Sequence, residues 1–304
     1  MMVSWSSGFL KDFLEQSNIG TTTDEQTGTS SNQIQEGAMT QGDFTTFYLA
    51  TIDLPIILEP HELYVSEARG RLLAQFYDID REAQKAEEEH LEKSAQYFDP
   101  DRDDPADAYE RAHHEGVSHW LALNEMHNTV TLALTAGMFH QFDKALREKA
   151  VREFSHWLDR QIISPLIWGL GFPRLIELIE WVGIKIGGKS FYNRINACRL
   201  VVNVYKHGDG DAHRELSSKY PEYYPHGNLH GLTIFGSGHE DLKVSESQFV
   251  EFADAITAFW KSIPQYCHHS QLGDDPTWLE AEYRKYEKRL TKDISGNAKN
   301  APWA

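Results

Sequence analysis

Residues 121–146, LALNEMHNTVTLALTAGMFHQFDKAL, decide the fold class. Leu123, Met126, Val130, Leu134, Met138, Phe142 and Leu146 recur there every three or four residues. That is the period of one helix face, so the stretch predicts a long helix, from about Ala108 to Leu158, whose stripe faces a core. Beyond it, Pro165, Gly169, Gly171 and Pro173 mark a turn, and RLIELIEWVGI (174–184) predicts a short amphipathic helix closing at Gly187 and Gly188. A further helix starts at Ser190, a candidate N-cap, and is stopped after His207 by Gly208. A Gly-, Pro- and Tyr-rich loop is expected over 208–238. A helix follows whose Ser245 and Gln248 have capping-box spacing, then a charged helix over 276–291.

Toward the N-terminus, 66–98 is helical in composition, and its segment REAQKAEEEHLEKSAQ is too charged to be buried. FDPDRDDPAD (98–107) marks a loop. Residues 45–65 are apolar but interrupted by Pro55 and Pro60, which suits an irregular packed segment or a short strand. Residues 20–44 read as a linker, and Met1 to Asn18 as an amphipathic helix. These features divide the chain into an N-terminal arm (1–65), a charged helix and loop (66–105), a helical domain (106–291) and a polar tail (292–304).

The 304 residues, 40% hydrophobic and 12% aromatic, suffice for a buried core. No stretch approaches the roughly 18 apolar residues of a membrane span, and no secretion signal is recognisable. Cys198 and Cys267 are too few for a disulfide framework. A mainly α, cytoplasmic protein without membrane partners is therefore expected. The net charge of −17 argues against a general nucleic-acid coat protein, which needs surplus cations to displace phosphate counterions. Residues 185–219 run against that trend, with Lys185, Lys189, Arg194, Arg199, Lys206, Arg214 and Lys219 set against Asp209, Asp211 and Glu215. A local basic site or chance clustering would each explain them.

On a helical wheel of about 100° per residue, Tyr192, Asn196, Arg199, Asn203, Lys206 and His207 fall within one arc of about 100°. Apolar residues fill nearly all the rest, so the arc must face a cleft, an interface or other polar groups. Two accounts remain open. Lys206, His207 and Gly208 fit a helix C-terminus, and a hydrogen-bond network would accommodate Asn196, Arg199 and Asn203. Alternatively, the arc is a functional surface.

The run GGKSFYNRINACRLVVNVYKHG (187–208), preceded by NTVTLALTAGMFHQFDKAL (128–146), resembles the HEPN superfamily of helical-bundle proteins found in toxin–antitoxin and phage-defence systems. The resemblance covers about 106–263. It implies an antiparallel helical bundle, a homodimer, and metal-independent endoribonuclease activity without cofactors. Asn203 and His207 match the family's Asn and His. Its Arg is expected at 202, which here is Val202, and the nearest arginine is Arg199, one turn earlier. On this reading His207 exchanges protons, Arg199 and Lys206 hold phosphate, Asn203 orients the imidazole, and Asn196 and Tyr192 contact substrate. The alternative is a non-catalytic sensor or scaffold whose arc binds a ligand or a partner protein.

Elsewhere His113, His114, His119 and His127, with Glu110, Glu115 and Glu125, form a region dense in possible metal ligands, without a recognised zinc spacing. A solvated helix face is the simpler reading, and a surface loop is the simpler reading of Cys267, His268 and His269.

Overall fold

The computed structural model describes residues 43–225 and 238–299, with side chains through Lys292. The expected N-terminal helix, nearly all of the 20–44 linker and part of the 208–238 loop lie outside the described residues. The chain is mainly α-helical. A short strand β1 (Thr45–Tyr48) precedes α1 (Asp53–Glu67), a π-helical turn (Ala68–Leu72) and a 3-10 turn (Leu73–Phe76). Then come α2 (Ile79–Ala95), α3 (Pro105–Phe154), α4 (Arg160–Gly169), α5 (Phe172–Trp181), α6 (Ser190–His207) and α7 (Asp211–Lys219). The chain ends with α8 (Glu246–Ser262), β2 (Tyr266–His268) and α9 (Leu279–Lys299).

Several of these elements differ from the sequence expectation. Residues 53–67 form a helix despite Pro55 and Pro60. Pro55 falls in the first turn, where a missing N–H removes no helical bond, but Pro60 lies inside and leaves the Ile56 carbonyl without its usual donor. Pro165 likewise lies inside α4 rather than in a turn. α7 occupies a stretch expected to be loop, and the expected helix over 66–98 is interrupted by the π and 3-10 turns. α9 runs on to Lys299, past the expected end at 291. The Ser245 capping box is present: Gln248 N donates to Ser245 Oγ (3.2 Å) and Ser245 N donates to Gln248 Oε1 (2.8 Å).

The chain forms two compact units. One takes its described residues from 43–53, 143–187 and 262–299; the other comprises Leu54–Phe142 and Gly188–Lys261. Each unit is assembled from non-contiguous stretches of the chain.

In the first unit β1 and β2 pair antiparallel, Phe47 opposite Cys267 and Tyr48 opposite Tyr266. Trp157 Nε1 donates to the Thr46 carbonyl (2.8 Å), and Phe154 stacks on Trp181. Two cations are built into this core. Arg147 Nη1 donates to the Ile167 and Leu170 carbonyls (2.6 and 2.9 Å), which closes the C-terminal end of α4, and its Nε bonds Asp143. Lys149, 4% exposed, lies between Asp53 (2.8 Å) and Glu153 (2.7 Å). Burial alone would raise the Asp53 carboxyl, but the Lys149 hydrogen bond and the charges of Lys149 and Arg152 outweigh it and hold the group below its ordinary value.

The second unit contains most of the predicted stripe. Met138 and Phe142 are buried, whereas Leu123, Val130 and Leu134 are half-buried and Met126 is 57% exposed. The stripe therefore becomes core only toward its C-terminal half. Phe142 meets Phe259 and Trp260 edge-on, with ring centroids 5.1 and 6.1 Å away. Among the described residues, no helix is long and apolar enough to cross a membrane.

The Lys149 network supplies a direct stability test. Lys149→Met removes the buried cation and leaves Asp53 and Glu153 with only the half-exposed Arg152 as cationic partner, so urea denaturation is expected to show a loss of about 3 kcal/mol.

Candidate functional site

α6 forms over the predicted residues because nothing from Ser190 to His207 is Gly or Pro, and its end is set by Gly208. Gly208 takes φ +67° and ψ −137°, and its N–H bonds the Val204 carbonyl at 2.8 Å. The N-cap position is Lys189, and Ser190 is the first helical residue. Ile195, Ala197, Cys198, Leu200, Val201, Val202 and Val204 are buried. Val202, at the position of the expected family Arg, is thus part of the core. Burial pushes the Cys198 thiol far up, so it is no nucleophile at neutral pH.

The polar arc separates into two parts. Over its first half, Arg199 Nε and Nη2 donate to Asn196 Oδ1 at 3.1 and 2.9 Å, and Nη2 stands 3.6 Å from Glu215 Oε2 on α7. Asn196 Nδ2 donates in turn to Tyr220 Oη (3.4 Å). The Arg199 side chain is only 15% exposed. Lys219, bonded to Glu215 at 2.8 Å, is the main cause of that carboxyl lying below its ordinary value, with the Lys219 and Arg199 charges adding to the effect. The middle of the arc is therefore a packed seam between α6 and α7.

Over its second half, Lys206 and His207 are exposed beside Tyr205 and Asn203 is half-buried; Tyr192, at the opposite end of the helix, is half-buried as well. Cations in the last turn lie at the negative end of the helix dipole, which favours them there.

Around Gly208 sits a group that sequence reasoning missed. Asp209 Oδ1 is 3.2 Å from His239 Nδ1 and 4.0 Å from His213 Nε2, and His213 Nδ1 is 2.8 Å from Tyr224 Oη. Asp209 and His213, in the stretch read as loop, have helical i, i+4 spacing, the only sequence signal; His239 is 30 residues away from Asp209, just past that stretch. Four of the seven basic side chains of 185–219 are paired, and Lys185, Lys189 and Lys206 are not among them. Arg194 meets Glu222 (3.1 Å) and Glu251 (3.3 Å), Arg214 meets Asp211, and Arg199 and Lys219 share Glu215.

The histidine-rich part of α3 is dispersed. His113 reaches Glu87 at 3.4 Å and His127 stacks on Phe76. Among the described residues, no group of three or more His, Cys, Asp or Glu is placed to hold a metal ion. No family model, curated protein or solved structure matches this chain.

The end of α6 depends on a backbone conformation that only glycine adopts easily. A Cβ at 208 would also stand 3.3 Å from the His239 ring. Gly208→Ala is expected to lower stability by about 1–3 kcal/mol in chemical denaturation. Gly210→Ala, on extended backbone with nothing within 4 Å, should stay within about 0.5 kcal/mol of the parent.

Proposed function

We propose that this chain is a non-catalytic, HEPN-like helical protein that binds a ligand or a partner protein through the exposed C-terminal end of α6. Tyr205, Lys206 and His207 provide the contacts. The observation that carries this reading is the state of Arg199. Its guanidinium is bonded to Asn196 and faces Glu215 in a seam that is 15% exposed, so its charge is already countered before any phosphate arrives. Holding the charge that develops in phosphoryl transfer requires a cation free to face the scissile group. Ion pairing of Arg194, Arg214 and Lys219 weakens the case for a nucleic-acid groove in the same way, because counterion release needs unpaired cations. An exposed aromatic beside two potential cations suits a protein surface or a small anionic ligand.

The ribonuclease reading keeps one observation in its favour, the exposure of Lys206 and His207 side by side. In that scheme His207 is the general acid or base, Lys206 the phosphate contact, and Arg199 with Asn203 positions the imidazole rather than binding RNA. One assay separates the two readings. Purified full-length protein and its His207→Ala variant are incubated with total cellular RNA in EDTA. The binding reading predicts identical, background-level RNA profiles for both. Metal-independent cleavage that the variant loses, with its circular dichroism unchanged, would establish the ribonuclease instead.

A further inference from the structure

A cleft of about 510 Å³ opens in the second unit, between α1, the π-helical turn, the 3-10 turn and α8. This falls in the size range of small-molecule sites. It has no part in the α6 arc, and its chemistry is distinct. One wall is formed by the break in the helical path: Arg69 and Gly70 lie on the π-helical turn and Ala74 on the 3-10 turn. A π-helical turn gives up regular i, i+4 bonding, and such turns are frequent at functional sites. Here the turn exposes Gly70, around which a Cβ would meet nothing within 4 Å. With glycine at this exposed position, the space beside the turn is open.

Charge then limits the occupant. Arg69 is already paired, its Nε 2.7 Å from Glu246 Oε1, and Tyr77 Oη donates to the same carboxylate. Glu62 and Asp254 line the cleft together with His61, and among the described residues neither carboxylate is in an ion pair. The His61 Nε2 lies 3.1 Å from the Ala253 carbonyl, which can only accept, so Nε2 carries the proton and Nδ1 is left as an acceptor. The lining therefore offers two carboxylates and an imidazole acceptor, an apolar floor at Val65 and Ala253, and the Tyr77 ring.

We propose that this cleft is a binding site for a small organic ammonium compound. Its amine sits against Glu62 and Asp254, and its apolar body fills the space beside Gly70 toward Tyr77. A carboxylate ligand would be repelled by Glu62 and Asp254 with only a neutralised Arg69 to receive it, and a neutral one would gain nothing from either charge. An aromatic face such as Tyr77 adds attraction for a cation.

Isothermal titration of the full chain with 2-phenylethylamine, cyclohexylmethylamine and tryptamine tests this, against 2-phenylethanol and 3-phenylpropionate as neutral and anionic isosteres. Spermidine at matched ionic strength reports diffuse attraction to an acidic surface. The expected result is saturable one-site binding of at least one monoamine, about tenfold or more tighter than either isostere. Glu62→Gln and Asp254→Asn should each weaken it by a comparable factor. Gly70→Phe should abolish it by filling the cleft, with circular dichroism unchanged in all three variants. Three results would overturn the proposal: no saturable binding by any monoamine, equal binding of alcohol or carboxylate, or binding that survives in Gly70→Phe. Loss of this binding would leave the reading of α6 untouched, because the two sites share no residue.

Discussion

A guanidinium in the seam between α6 and α7 governs how this part of the molecule is put together. α6 is apolar on most sides, so its one polar arc cannot be buried unless Arg199 finds an opposite charge and acceptors for its donors. α7 supplies both. Glu215 faces the guanidinium, Lys219 holds Glu215 from its other side, and Tyr220 receives Asn196. That pairing explains why a stretch rich in Gly and charge folds as a helix at all: α7 is short and polar, with little beyond Leu216 to bury, and the seam gives it a reason to pack.

The other unit solves the same problem with a different cation. Lys149 is more deeply buried than Arg199 and is flanked by two carboxylates, one of which also accepts the Tyr48 N–H. An unpaired ammonium there would cost several kcal/mol, a large part of a domain's usual margin of about 5–15 kcal/mol. Each unit thus has a charge fixed within helical packing, and in neither is that charge left free to meet a ligand. The groups that do remain available are peripheral: Lys206 and His207 at the end of α6, and Glu62 and Asp254 beside the π-helical turn.

Much of the fold was legible because period and punctuation were clean. The Met138–Phe142–Leu146 spacing marked α3, Gly208 marked the end of α6, and Ser245 with Gln248 marked the start of α8. Where propensity and packing disagreed, the reading failed. Pro55, Pro60 and Pro165 suggested breaks, yet the chain is helical around all three: Pro55 falls in a first turn, and burial of Ile162, Ile163, Leu166 and Ile167 holds the helix around Pro165. The outer stripe residues failed in the opposite sense, since Met126 has the right period and remains exposed. For the site, sequence placed Asn196, Arg199, Asn203, Lys206 and His207 on one arc but could not say what faces it. Glu215 and Tyr220 come from α7, and pairing across helices leaves no trace in the spacing of either one. The cleft was invisible for a similar reason: a π-helical turn has no composition of its own, and ARGRL reads as ordinary helix.

The account rests on Arg199 being coupled to Glu215, and a double-mutant cycle measures that coupling directly. Stabilities of the parent, Arg199→Gln, Glu215→Gln and the double variant are compared by urea denaturation. Coupling of about 1 kcal/mol is predicted, reduced from that of a fully buried pair because Glu215 is partly exposed. Additivity within about 0.3 kcal/mol would mean that the guanidinium is not committed to the seam, and would return Arg199 to the list of groups free to bind phosphate.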